Sequence, residues 1–250
     1  MPNYHGIDVS HHNGTIDWAK VKASGKVDFA ILRSSYGWID GDVSKQRDKN
    51  FWNNVKGCQA NGIPYGIYHY SYCTKPENAK KEAEYFLKVI KGAKPTYPVW
   101  FDIEDPSQTK LSKDVLTQIT YDFCDTVEKA GYYVGVYSYK SFLENNLDMK
   151  KLAKWDVWVA QIANKTTYNG NYGMWQYSWK GSIPGINGDV DMNHAYRDYP
   201  TAIKKNGLNG TKEPITEETD PAKELEEVKK ELASIIERLI AVQAKLKVRS

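Results

Sequence analysis

Residues 98–104 read Pro98-Val99-Trp100-Phe101-Asp102-Ile103-Glu104, and the chain returns at 133–138 to Tyr133-Val134-Gly135-Val136-Tyr137-Ser138. Between these two apolar runs of strand length, residues 112–130 carry Val115, Ile119, Phe123 and Val127 at a spacing of four, which is the core-facing stripe of a helix. This βαβ pattern continues in both directions. Strand-like runs lie at 4–10, 28–34, 65–71, 156–162 and 173–178, with a short one around 188–192. Helical patterns fall near 15–24, 47–61, 76–91 and 140–153, the third opening on Pro76-Glu77, a good first-turn pair. Such alternation predicts an α/β fold with a mostly parallel sheet and crossover helices. Seven or eight strands, with no G-x-G-x-x-G after the first, favour a closed, TIM-like β/α barrel over an open dinucleotide-binding sheet. Segments 156–192 leave little room for helices, so the barrel is expected to be irregular.

The bulk properties narrow the choice. The apolar fraction of 41% supports a core, and 18 Tyr and 8 Trp make the chain rich in aromatics. The net charge of +3 is spread thinly, without the dense Lys/Arg stripe of a nucleic-acid binder. Three cysteines, Cys58, Cys73 and Cys124, are odd in number and lack metal-ligand spacing, which argues against a disulfide framework. The first residues show no charged stretch followed by an apolar run, so no signal peptide is visible, and no segment is long and apolar enough to insert in a membrane.

Composition shifts near Asn206. Residues 1–206 are expected to form the barrel and 207–220 a polar linker. From 221 to 250, Leu225, Val228, Leu232, Ile235, Leu239, Val242 and Leu246 form a heptad seam, flanked by Glu224, Glu231, Arg238 and Lys245. This coiled-coil-like helix is expected either to make a homo-oligomer through 221–247 or to dock as a single helix on the barrel.

Asp102 and Glu104 are the sharpest chemical feature. On a strand they face one side, ~6.6 Å apart between Cα atoms, with Ile103 on the other. Two half-buried acids that close should titrate apart, which glycosidic cleavage requires: one group to protonate the leaving oxygen, another to stabilise the cationic centre. The longer Glu104 is the expected acid/base and Asp102 the charged partner. The tripeptide alone is equally compatible with a salt-bridged or metal-binding pair. Asp8 and Asp191, at the ends of other short runs, would join the same mouth if the barrel closes; Asp189 reads as a turn residue. His11, His12 and His69 with these acids could make a metal site, but the metalloprotease-type His spacings are absent. No metal and no cofactor is called for, and no nucleophile elbow is present.

Several stretches in order resemble glycoside hydrolase family 25, the Chalaropsis-type lysozymes common among phage endolysins. They are Gly6-Ile7-Asp8-Val9-Ser10-His11-His12-Asn13-Gly14 with Ile16-Asp17-Trp18, then Phe29 to Arg33 with Tyr36-Gly37. Gly66 to Tyr70, Phe101-Asp102-Ile103-Glu104 and Trp175-Gln176-Tyr177-Ser178 follow. The likeness covers about residues 3–205. It implies a flattened, irregular barrel that cleaves the β-1,4 bond between N-acetylmuramic acid and N-acetylglucosamine in peptidoglycan. By resemblance Glu104 is the acid/base, Asp102 assists the substrate's acetamido group in a retaining reaction, and Asp8 and Asp191 support them. Arg33, Tyr68, Tyr70, Tyr137, Trp175 and Gln176 would line the sugar cleft. It also implies synthesis in a host cytoplasm and release to the wall through a membrane lesion. The alternative is a wall-carbohydrate binder that has kept the barrel without activity.

Overall fold

The computed structural model describes residues 3–38, 40–211 and five helical positions of the C-terminal segment, 229, 230, 232, 233 and 236. Residues 1–211 form one compact unit and 212–250 a second. In the first unit the strands are β1 (Tyr4–Val9), β2 (Phe29–Tyr36), β3 (Tyr65–Tyr70), β4 (Val99–Asp102), β5 (Val134–Tyr139), β6 (Asp156–Ala160), β7 (Met174–Gly181) and β8 (Val190–Ala195). The helices are α1 (Trp18–Ala23), α2 (Phe51–Ala60), α3 (Pro76–Ile90), α4 (Lys113–Lys129), α5 (Lys140–Asn146) and α6 (Tyr199–Lys205), with a short 3₁₀ turn at His11–Asn13.

The strands close in sequence order into a barrel. β1 to β7 pair in parallel with their sequence neighbours, whereas β8 runs antiparallel to both β7 and β1. That reversal and the register shifts in β7 are the irregularity anticipated from the helix-poor stretch 156–192, while the register shift in β2 between Arg33 and Ser35 lies outside it.

Outside the register shifts in β2 and β7, the strands follow the two-residue alternation of extended chain. Ile7 and Val9, Val99 and Phe101, and Val157 and Val159 face the helix layer, joining Phe86, Ile119 and Phe123 in a continuous apolar shell. Phe29, Ile31, Trp100, Trp158 and Met174 point inward and fill the barrel. Two indole rings and a phenyl ring fit the interior because strands beside them carry small residues. A Cβ at Gly135 would collide with the Trp100 ring, and one at Gly6 with the Phe29 ring. Burying each large side chain contributes on the order of 2 kcal/mol.

The lower end is sealed by α6 and the residues after it. Tyr199 OH donates to Asp156 Oδ2 at 2.7 Å, and Arg197 Nε lies 3.0 Å from the same oxygen. The linker expected from residue 207 therefore starts later, because Asn209 is fully buried against the barrel. Its Nδ2 donates to the Pro95 and Tyr97 carbonyls at 2.9 and 3.0 Å, and its Oδ1 accepts the Tyr133 N–H at 2.8 Å. Asn209 also has φ of 56°, a left-handed conformation that asparagine tolerates better than most residues. The heptad helix expected over 221–250 lies outside the described residues except at the five positions named. Among the described residues no helix is long and apolar enough to cross a membrane.

Asn209→Ala should destabilise the barrel by about 3 kcal/mol, through three lost hydrogen bonds to buried backbone and a strained φ. Asn206→Ala, at an exposed helix end, should cost no more than about 0.5 kcal/mol. Urea titration of the two variants beside the parent checks the difference.

Candidate active site

The inward phase that fills the barrel with aromatics turns polar at one end. Asp8 follows Gly6 on β1, Arg33 follows Ile31 on β2, Asp102 follows Trp100 on β4, and Gln176 follows Met174 on β7. Register aligns them: Asp8 stands opposite Asp191, Arg33 opposite Tyr68, and Asp102 between Tyr70 and Tyr137. These residues and Glu104 line one cleft of about 830 Å³.

The structure thus brings together Asp8, Asp102, Glu104, Asp191, Arg33, Tyr68, Tyr70, Tyr137 and Gln176. Trp175 is a correction. It sits out of phase with Gln176, packs in the outer apolar shell, and donates its Nε1–H to the Gln161 carbonyl at 2.8 Å. The cleft's tryptophans are Trp158, in its floor, and Trp179, 60% exposed at its rim. Trp179 lay beyond the sequence motifs, although its Nε1–H reaches back to Gln176 Oε1 at 3.4 Å. Among the histidines only His12 lines the cleft. His69 is fully buried behind it on Glu82, and His11 packs against Asp48 and Arg33.

β4 ends at Asp102, so Glu104 lies just past the strand, but its backbone is held on both sides. Ile103 N–H donates to the Tyr137 carbonyl at 3.1 Å, Ser138 Oγ donates to the Ile103 carbonyl at 2.6 Å, and Asp105 N–H donates to Gln108 Oε1 at 3.0 Å. Glu104 is only half-buried and can reach a ligand from a fixed base.

Asp8 is the best solvated by protein groups. Its Oδ2 accepts from Asn193 Nδ2 at 2.8 Å and Gln176 Nε2 at 2.9 Å. Each amide is oriented in turn: Tyr137 OH donates to Gln176 Oε1 at 2.9 Å, and Trp158 Nε1–H donates to Asn193 Oδ1 at 2.8 Å. Asn193 was not anticipated from sequence, although it shares the inward face of β8 with Asp191.

Four acids in one mouth cannot all be charged cheaply. Burial raises Asp8 to about 6, against its amide donors, and Asp191 to about 8, where the Asp8 charge and a hydrogen bond to Asp8 add to burial. Asp191 is therefore the proton-bearing member of that pair. Burial, then the charges of Asp191 and Asp105, raise Glu104 to about 7. Asp102 is raised well above the usual carboxylate range by burial, Glu104 and Asp8, with Arg33 opposing. In the free chain both Asp102 and Glu104 are pushed up. Asp102 Oδ1 is buried without a hydrogen-bond partner.

Paired carboxylates with raised pKa values, at the polar mouth of a closed β/α barrel, define a glycoside hydrolase type of site. The profile of glycosyl hydrolases family 25 matches residues 7–186. The Escherichia coli (strain K12) protein YegX is 31% identical over 196 residues, covering 76% of this chain and 68% of YegX. A lysozyme of Lactococcus phage mv1 is 30% identical over 195 residues, 74% of this chain and 93% of the phage protein. The modular autolysin LytC from Streptococcus pneumoniae, solved in complex with a synthetic peptidoglycan ligand, superposes with a TM-score of 0.68 at 32% identity. That match covers 78% of this chain and 47% of LytC, so the chain spans about half the autolysin's length. The chain belongs to glycosyl hydrolases family 25.

The raised carboxyls tie stability to pH. The unfolded chain loses these protons near pH 4 while the folded chain keeps them to about 6, 7 and 8 at Asp8, Glu104 and Asp191. Stability from this source is present below pH 4 and is lost as pH rises to about 8. Asp191→Asn should raise stability at pH 8 by the order of 1–2 kcal/mol, discounted for its partial exposure, with no gain at pH 4. Thermal melts at the two pH values check this, and equal gains at both would remove the proton from Asp191.

Proposed function

We propose that the chain is a lysozyme that hydrolyses peptidoglycan, cutting the β-1,4 bond between N-acetylmuramic acid and N-acetylglucosamine with retention. The observation that carries this reading is Glu104, raised to about 7 and therefore largely protonated at mildly acid pH, beside a buried carboxyl whose Oδ1 lacks a donor.

In this reading the Glu104 proton passes to the glycosidic oxygen as the C1–O bond breaks. The acetamido carbonyl oxygen of the same sugar closes on C1. Its N–H is a donor of the kind Asp102 Oδ1 lacks, and such a bond favours the charged carboxylate. Asp102 then stabilises the cationic ring intermediate. A water gives its proton to the Glu104 carboxylate and its oxygen to C1 as the C1–O bond to the acetamido oxygen breaks and the neutral acetamide re-forms, which restores the acid and retains the configuration. Asp8, held by Asn193 and Gln176, and Asp191 keep the remaining negative charge fixed below the sugar. Arg33, Tyr68, Tyr70, Tyr137 and Gln176 are the assigned cleft contacts, and Trp179 adds an exposed ring at the rim for a pyranose face. The relatives that carry the substrate assignment are the phage lysozyme and the autolysin bound to a peptidoglycan ligand.

Glu104→Gln should lower the rate of clearing of a purified wall suspension by at least about 10³-fold, with the fold kept. Parent activity should fall as pH rises through about 7, where Glu104 loses its proton. Equal clearing by parent and variant would refute the assignment of Glu104, and no clearing by either would leave a wall-binding barrel.

The heptad segment 221–247 is further proposed to gather several barrels, which would add avidity on a polymeric wall without a new contact. Sedimentation of the full chain and of residues 1–211 should show an oligomer only in the former. Monomers in both would exclude it.

A further inference from the structure

Behind the wall of the cleft lies a polar chain that the reaction does not use. Glu82, on α3, is fully buried. Its Oε1 accepts the Tyr72 N–H at 3.1 Å and lies 3.0 Å from His69 Nε2, and its Oε2 accepts the Ser71 hydroxyl at 3.0 Å. The other His69 nitrogen is 2.8 Å from Ser35 Oγ. Gln108, also fully buried, donates Nε2 to Ser71 Oγ at 3.3 Å and to the Cys73 carbonyl at 3.0 Å. Its Oε1 accepts the Asp105 N–H at 3.0 Å, while Ser71 N–H donates to the Asp102 carbonyl at 2.9 Å.

The two ends of this chain therefore hold the backbone at Asp102 and at Asp105, the residues that bracket Glu104. The loops it joins, after β3 and after β4, belong to neither helix nor strand at these positions. Burying a carboxylate is costly even when every lone pair is met, and apolar packing would stabilise the two loops at least as well. What the polar chain supplies instead is direction: each bond fixes one backbone group at one position. Above it, Tyr70 OH donates to Asp105 Oδ2 at 3.1 Å, and Ser107 N–H and Oγ donate to Asp105 Oδ1. The acid nearest Glu104 in sequence is thus held in place from both sides.

We propose that Glu82 and Gln108 are positioning residues for Glu104, acting through the buried chain Glu82–Ser71–Gln108–Asp105. This rests on the hydrolase reading. When the chain is cut, the 103–108 backbone loosens, the half-buried Glu104 becomes more exposed, and its carboxyl relaxes toward the ordinary range. The groups facing Glu104 are Asp8, Asp102, Asp105 and Asp191 with Tyr70, Tyr137 and Tyr139.

Gln108→Met keeps the volume and removes both ends of the amide, and Ser71→Ala cuts the bridge between Gln108 and Glu82 with less risk to folding. Both are made in the full chain. We expect kcat for wall fragments to fall about ten-fold in Gln108→Met, with KM within about twofold. The alkaline limb of the pH profile should move to lower pH by about half a unit, and less in Ser71→Ala. Amide exchange across 103–108 should speed up in both. A merely structural role would lower the melting temperature and leave the alkaline limb in place. A folded variant, of either kind, with the limb and the exchange unchanged overturns the proposal. An inactive parent would count against the hydrolase reading alone, since exchange across 103–108 still decides for or against the clamp.

Discussion

A carboxylate placed over an apolar barrel is expensive unless donors or a proton accompany it, and this chain places four at one mouth. The surroundings of each acid show how that cost is met. Asp8 receives two amide donors, Asp191 keeps a proton and shares it toward Asp8, and Glu104 is left half-exposed. Asp102 is buried and its Oδ1 has no hydrogen-bond partner. The donors to Asp8 come from β7 and β8, and their orientation depends on Tyr137 and Trp158 inside the barrel. Packing in the barrel and charge at its mouth are therefore one arrangement. A change in the Trp158 ring would reach Asp8 through Asn193.

This division of roles also explains why an unsatisfied oxygen can persist. A buried acceptor without a donor costs about 1–3 kcal/mol, and the fold could remove it by moving one amide. Leaving it open is useful if substrate brings the missing donor. In the proposed reaction the free state is then penalised relative to the bound one, and the donor favours the charged carboxylate. Charging it earlier would set a second anion against Glu104 and raise the acid further.

Much of this was legible in the sequence, and its limits have physical causes. The strands and the central helices follow from alternation and four-residue spacing, because each element buries one face. The inward position of Asp8, Asp102 and Gln176 follows from the same alternation, which also settles Trp175: next to an inward Gln176 it must point out. The motif drew attention to the tryptophan, but phase decides its face. Asn193, Gln108 and Glu82 were not legible, since their partners lie 185, 37 and 13 residues away and no local pattern marks them. The late start of the linker was hidden for a similar reason. Asn209 sits in a polar, glycine-rich stretch, and only its contacts at Pro95, Tyr97 and Tyr133 make it part of the barrel.

The antiparallel last strand bears on the chemistry more than on the architecture. In β1 to β7 the mouth is at the C-terminal ends, where barrel chemistry gathers. β8 runs the other way, so its N-terminal end is at the mouth, and Asp191 is its second residue rather than its last. Antiparallel pairing also places residues directly opposite one another, with Cβ atoms about 4.5–5.5 Å apart. Asp8 and Asp191 occupy such a pair. Two like charges there would be destabilising, and one proton between them converts the repulsion into a hydrogen bond. A parallel eighth strand would present its C-terminal end to the mouth and would not set two carboxyls face to face in this way. The reversal of β8 therefore sets Asp191 directly opposite Asp8 at the mouth.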